Sequence, residues 1–160
     1  MWQELNETLA KLIQLYEQVL IIGKEKRDAM VVVDLKALDQ ILQQEEQLTG
    51  AILSAEESRK LILQKLAGIE PKIKAGTKLA ELCRYCPAET AKHLSQLHAK
   101  LNQVTNEVSA IRDANRVLVS AALSAVNYHL NVLGDTAVAP VYGAGGSENV
   151  SKSKKFDFEA

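Results

Sequence analysis

The densest grouping of chemically competent side chains is Cys83-Arg84-Tyr85-Cys86, followed by His93 and His98. Two thiols and two imidazoles can hold a tetrahedral zinc ion, and a C-x-x-C pair alone can run thiol–disulfide chemistry. The spacing argues against both. Helix neighbours stand three or four residues apart, so His93 and His98, five apart, fall on different faces. The step from Cys86 to His93 is short for a zinc finger, and no strand–helix–strand pattern surrounds the cysteines as a thioredoxin-like centre requires. The favoured reading is one packed cysteine and one incidental cysteine, with neither metal nor cofactor. His129 falls on an apolar helical stripe beside Asn127 and Asn131, without a Ser, Asp or Cys at a suggestive spacing. A buried, hydrogen-bonded histidine is expected there, not a catalytic one. No Gly-rich loop joins a strand to a helix, and no carboxylate pair has a cleft to work in, so no catalytic residue is assigned and the chain is not read as an enzyme.

The elements that carry these residues are helices. The 160 residues suit one domain, and 47% hydrophobic residues suffice for a packed core. With 19 Lys+Arg against 20 Asp+Glu there is no basic excess to hold nucleic acid. Most of the 8 Gly and 3 Pro fall outside the long periodic stretches, the pattern of long helices and not of a many-turned β-sandwich. Two closely spaced cysteines cannot staple a secreted scaffold, and the Met1-Trp2-Gln3-Glu4 start lacks the basic and apolar regions of a signal peptide, so a cytoplasmic setting is expected.

Leu5, Leu9, Leu12, Tyr16 and Val19 step 4-3-4-3 and form one stripe, widened by Ile13 and Leu20. Val31-Val32-Val33 weakens a helix by restricting χ1, and Asp34 is a good N-cap, so a kink or short break is expected near 31–34, with a continuous helix as the second reading. In the second segment Leu38, Ile41, Leu48, Ile52, Ala55, Ile62 and Leu66 hold the stripe, across Gly50. Gly68, Pro71 and Gly76 predict a second break over 68–76. A short helix with Leu79 and Leu82 inward follows, and Pro87 suits the start of the third long segment. That segment reaches Leu133 through Leu94, Leu97, Leu101, Val104, Val108, Ile111, Asn115, Leu118, Ala122, Ala125, His129 and Val132, stepping 3-4 throughout. Asn115 on the stripe reads as a residue that sets register or oligomeric state. A helix of this size is roughly 65–70 Å long and must pack lengthwise. The expected class is all-α, an elongated antiparallel helical bundle or coiled coil, with a helical domain over 1–133 and a flexible polar tail over 134–160.

Residues 117–134 contain no charged side chain in 18 positions, and apolar residues wrap most of the helix there. Such a helix is buried on several sides or spans a membrane. Ser120, Ser124, Asn127, His129 and Asn131 are too many polar groups for a membrane span. Two readings stay open: a thick bundle end or homodimer seam in a structural coiled-coil subunit, and an apolar surface for a partner helix.

The chain also resembles the FlgN-type flagellar type III secretion chaperones. The resemblance rests on Leu5-x-x-x-Leu9-x-x-Leu12-x-x-x-Tyr16 and on Asp34-x-x-x-Leu38 opening a second helix. It continues with Asn115-x-x-Leu118-x-x-x-x-Leu123 leading into Asn127-x-x-Leu130-x-x-Leu133, and with Val141-Tyr142-Gly143-x-Gly145 in the tail. The Cys83/Cys86 pair belongs to none of these motifs. The resemblance implies a cytosolic, non-enzymatic chaperone that binds the C-terminal helical segment of the hook–filament junction proteins FlgK and FlgL and delivers them to the export gate protein FlhA. It maps the cargo site onto Leu118, Ala122, Leu123, Val126, Leu130 and Leu133, and gate docking onto Tyr142.

Overall fold

The computed structural model describes residues 1–70, 72–74 and 77–136, with the side chains of the last helix followed as far as Gly134. Four helices occur in chain order: α1 (Trp2–Val32), α2 (Leu35–Ile69), α3 (Leu79–Leu82) and α4 (Ala88–Thr136). Among the described residues there is no strand. The chain divides into two compact units, unit 1 (Met1–Asn115) and unit 2 (Arg116–Ala160).

Unit 1 is a helical bundle. Leu5, Leu9 and Leu12 are fully buried and meet Ala55, Ile62, Leu63 and Leu66 of α2 and Leu94 of α4 in one core. Each buried leucine contributes roughly 1.5–3 kcal/mol through removal from water. Toward the other end of α1, Lys26 Nζ lies 2.6 Å from Glu45 Oε2, so α1 and α2 run antiparallel. Lys100 pairs with Glu17 at 3.0 Å and Asn115 reaches Gly23, so the part of α4 in unit 1 runs in the same direction as α1.

The turn between α1 and α2 has a specific cause. The N–H of Asp34 donates to the Ala29 carbonyl and that of Val33 to the Met30 carbonyl, the paired bonds of a Schellman ending. Its left-handed position, usually Gly, is Val33 at φ 56° and ψ 40°. A β-branched residue is strained there, by about 1–2 kcal/mol. Asp34 then opens α2, its Oδ1 accepting from the Ala37 N–H at 3.0 Å.

α2 continues through Gly50, and its last N–H bond runs from Glu70 to the Leu66 carbonyl. Ile73 and the two leucines of α3, Leu79 and Leu82, then close the end of the core. Pro71 and Gly76, singled out as helix breakers, lie outside the described residues. The Ala91 N–H donates to the Pro87 carbonyl, so Pro87 sits at the mouth of α4, where its missing donor is harmless.

Candidate functional site

α4 changes character along its length. In unit 1 it carries a narrow stripe: Leu94 and Val104 are buried, while Leu97, Leu101, Val108 and Ile111 are half-buried. Asn115 closes this stretch. It is buried, and its Nδ2 donates to the Gly23 carbonyl at 2.8 Å. A Cβ added at Gly23 would sit 3.2 Å from Ile111 Cγ2, so the two helices approach closely there because α1 has a glycine. Asn115 thereby favours one register of α4 on α1, since a slip would leave its Nδ2 buried without a partner, as its Oδ1 already is.

Unit 2 begins one residue later. Its described helical part, 116–136, is rich in good helix formers, among them Ala121, Ala122, Leu123, Ala125 and Leu130. Within it, Ser124 Oγ donates to the Ser120 carbonyl at 2.9 Å. From Val119 to Leu133 every side chain is exposed. The large apolar ones of this part, Val117, Val119, Leu123, Val126, Tyr128, Leu130, Val132 and Leu133, are 43–69% exposed. Scattered exposed leucines are ordinary, but a contiguous uncharged apolar surface on one helix is not.

The residues onto which the family resemblance maps a cargo site are placed as follows. Leu118 is half-buried, and Ala122, Leu123, Val126, Leu130 and Leu133 are exposed. Val119, outside that set, is exposed beside them and continues a 4-3-4 row with Leu123, Val126 and Leu130. Tyr142 lies outside the described residues. Two expectations are corrected here. The His129 ring is not buried, and among the described residues no side-chain hydrogen bond holds it; it is exposed and meets the Tyr128 ring edge-on, with centroids 5.6 Å apart. Ala122, Ala125 and Val132, placed on a packing stripe, are likewise exposed. Periodicity identifies residues that share a face, and it does not say that anything covers the face.

The sulfur and imidazole groups do not assemble. Cys83 and Cys86 are free, half-buried, and both packed against the core of unit 1, so the second cysteine is not incidental. The Cys83 thiol lies 3.7 Å from the carbonyls of Leu79 and Ala91, and that of Cys86 3.8 Å from the Cys83 carbonyl. Burial pushes the Cys86 thiol above its ordinary range, and Cys83 adds to the shift. A raised thiol is a poor nucleophile at neutral pH. His93 is exposed, while His98 contacts Asn102 at 3.2 Å. Among the described residues no group of three or more His, Cys, Asp or Glu side chains could hold a metal ion.

By length and composition alone, α4 is apolar enough to cross a membrane, with an 18-residue window of mean hydropathy 1.3, none of it buried. Compared with known protein families, residues 1–149 match the family described as FlgN protein. No curated protein and no solved structure matches the chain.

Proposed function

The chain belongs to the FlgN family of flagellar export chaperones, and from that premise we propose that its cargo is the C-terminal helical segment of the junction proteins FlgK and FlgL. The observation that carries this reading is the exposed, uncharged surface of 117–134. An amphipathic helix aggregates when its apolar face is unpaired. A second apolar helix face covers it, at about 25 cal/mol per Å² removed from water. Only part of that gain becomes affinity, because both segments lose freedom on docking. Leu118, Ala122, Leu123, Val126, Leu130 and Leu133 are the proposed contacts, the small Ala122 letting the cargo backbone approach closely.

The polar groups within the stretch favour a protein partner over lipid. Ser120, Ser124, Asn127, His129 and Asn131 interrupt the apolar surface, and each would be costly in a hydrocarbon core. We place the chaperone in the cytoplasm, where it hands cargo to FlhA, with Tyr142 in the docking contact.

The test is co-elution of the full chain with a synthetic peptide of the cargo's C-terminal helix. Complex formation that is lost in Leu123→Asp, with helicity kept, supports the proposal. Absence of a complex at micromolar concentrations overturns it and leaves the structural-seam reading. Tyr142→Ala is expected to spare peptide binding and to reduce export of the junction proteins in cells; equal loss of both would contradict that division of labour.

A further inference from the structure

Unit 1 carries a groove that its own helices leave open. Two concavities, of about 510 and 470 Å³, lie between α1 and α2 and share Gln44. On α1 the lining residues Leu15, Gln18, Ile22, Glu25, Ala29 and Val32 step 3-4-3-4-3. On α2, Ala37, Ile41, Gln44 and Leu48 step 4-3-4. Two rows at this spacing form the holes that receive the knobs of a further helix. The α1 row rises about 26 Å, the length of a helix of roughly 18 residues. Ile22, Ala29 and Ile41 are buried along it, while Ile21 and Val32 stand 56% and 73% exposed on the α1 side.

The lining says what kind of helix fits. At the end nearest the α1–α2 turn the groove is lined by Glu25, Asp28 and Asp34, with no Lys or Arg among the lining residues. Glu25 and Asp28, one helical turn apart, take part in none of the ion pairs of the described residues. Two such carboxylates repel each other, and a cation brought between them is attracted by both. The other end of the groove holds no charge. Gln18, Gln40, Gln44 and Gln47 line it, and the glutamine side-chain hydrogen bonds of the described residues belong instead to Gln3, Gln43 and Gln103. Open amides suit the polar edges of a peptide helix and are costly against an acyl chain. The matching occupant is a protein helix with an apolar row at 3-4 spacing and Lys or Arg at one end.

We propose that the groove of unit 1 docks such a basic-ended helix from a protein partner other than the cargo, with the basic end against Glu25 and Asp28. The two surfaces of the chain select by different rules. Residues 117–134 hold no charged side chain, so a helix is chosen there by apolar area. In the groove the carboxylates add a demand for opposite charge at one end, which fixes the direction and register of the guest and excludes helices with an acidic end. This second docking surface does not rest on the proposed cargo site.

Fluorescence anisotropy of a labelled peptide of about 18 residues tests the proposal, with the full chain as receptor. The peptide is helical, carries Leu at 3-4 spacing among Ala and Gln, and has an Arg pair at one end; it is made with the pair at either terminus. One of the two orientations is expected to bind the wild type. Glu25→Arg with Asp28→Arg, its helicity confirmed by circular dichroism, should weaken that binding roughly tenfold. The same peptide with Glu in place of Arg should prefer the reversed variant by a similar factor, and Leu123→Asp should leave the Arg peptide's binding unchanged. No binding in either orientation at about 100 μM, binding indifferent to the reversal, or binding lost in Leu123→Asp overturns the proposal. So does a cargo peptide weakened by the reversal, which gives the groove to cargo, or a reversal that loosens association between copies of the chain in sedimentation velocity, which gives it to a second copy. An intact charge swap without any cargo binding would support the groove and remove the cargo reading.

Discussion

The first turns of α1 and the helical part of unit 2 are both leucine-rich, yet they have opposite fates. Leu5, Leu9 and Leu12 are fully buried, whereas Leu123, Leu130 and Leu133 are exposed. The difference lies in what surrounds the leucines. Around Leu9 stand Glu7, Lys11 and Gln14, a polar back that water can solvate. Around Leu123 stand Ala122, Val126 and Ala125, so no rotation of that helix hides its apolar surface. One pattern satisfies itself within the chain, and the other is left open among the described residues.

The largest effect that tests this contrast is on stability. Leu9→Ala is expected to destabilise the protein by about 2–5 kcal/mol, whereas Leu123→Ala should stay within about 0.5 kcal/mol, both read by denaturant unfolding. A comparable loss at both sites would show that unit 2 is covered after all. A smaller effect comes from the α1–α2 turn, where Val31, Val32, Val33 and Leu35 form a second exposed apolar group. Val33→Gly relieves the left-handed strain at an exposed site and should stabilise by up to about 1 kcal/mol, with cargo binding unchanged. Weakened cargo binding would mean that this tip, and not only 117–134, meets cargo.

The smallest effect is alkaline. Burial raises the Cys86 thiol and, with the Glu56 charge adding and Arg59 opposing, the Tyr16 phenol. Folding holds both groups neutral. Their contribution is whole below the ordinary values of 9.0 and 10.0 and is lost as pH rises through the raised ones. Thermal melts should therefore weaken with rising alkalinity, and Cys86→Ser should flatten the lower part of that slope; an unaltered slope would exclude the thiol.

Much of this contrast is legible in the sequence. The all-α class follows from the long 3-4 stripes, and Leu5, Leu9, Leu12, Ile41, Ala55, Ile62 and Leu66 lie buried where periodicity puts them. Asn115 stands out as a polar residue on a stripe, and its partner proves to be a backbone carbonyl. Gly23 is not legible, because its burial comes from close helix approach and glycine carries no hydrophobic signal. Tyr16 and Val19, on the same stripe, are only half-buried, and burial on α1 resumes at Ile22 and Gly23. The missing charges of 117–134 are legible, but their exposure is not, since an all-round apolar pattern reads equally as a core.

Hydrogen exchange of the full chain, with and without the cargo's C-terminal helix peptide, decides most simply whether the open surface of unit 2 is where cargo docks. Exchange is expected to slow across 117–134 and to change little around Leu5, Leu9 and Leu12. Protection confined to unit 1, with 117–134 exchanging as freely as before, would contradict a cargo site there.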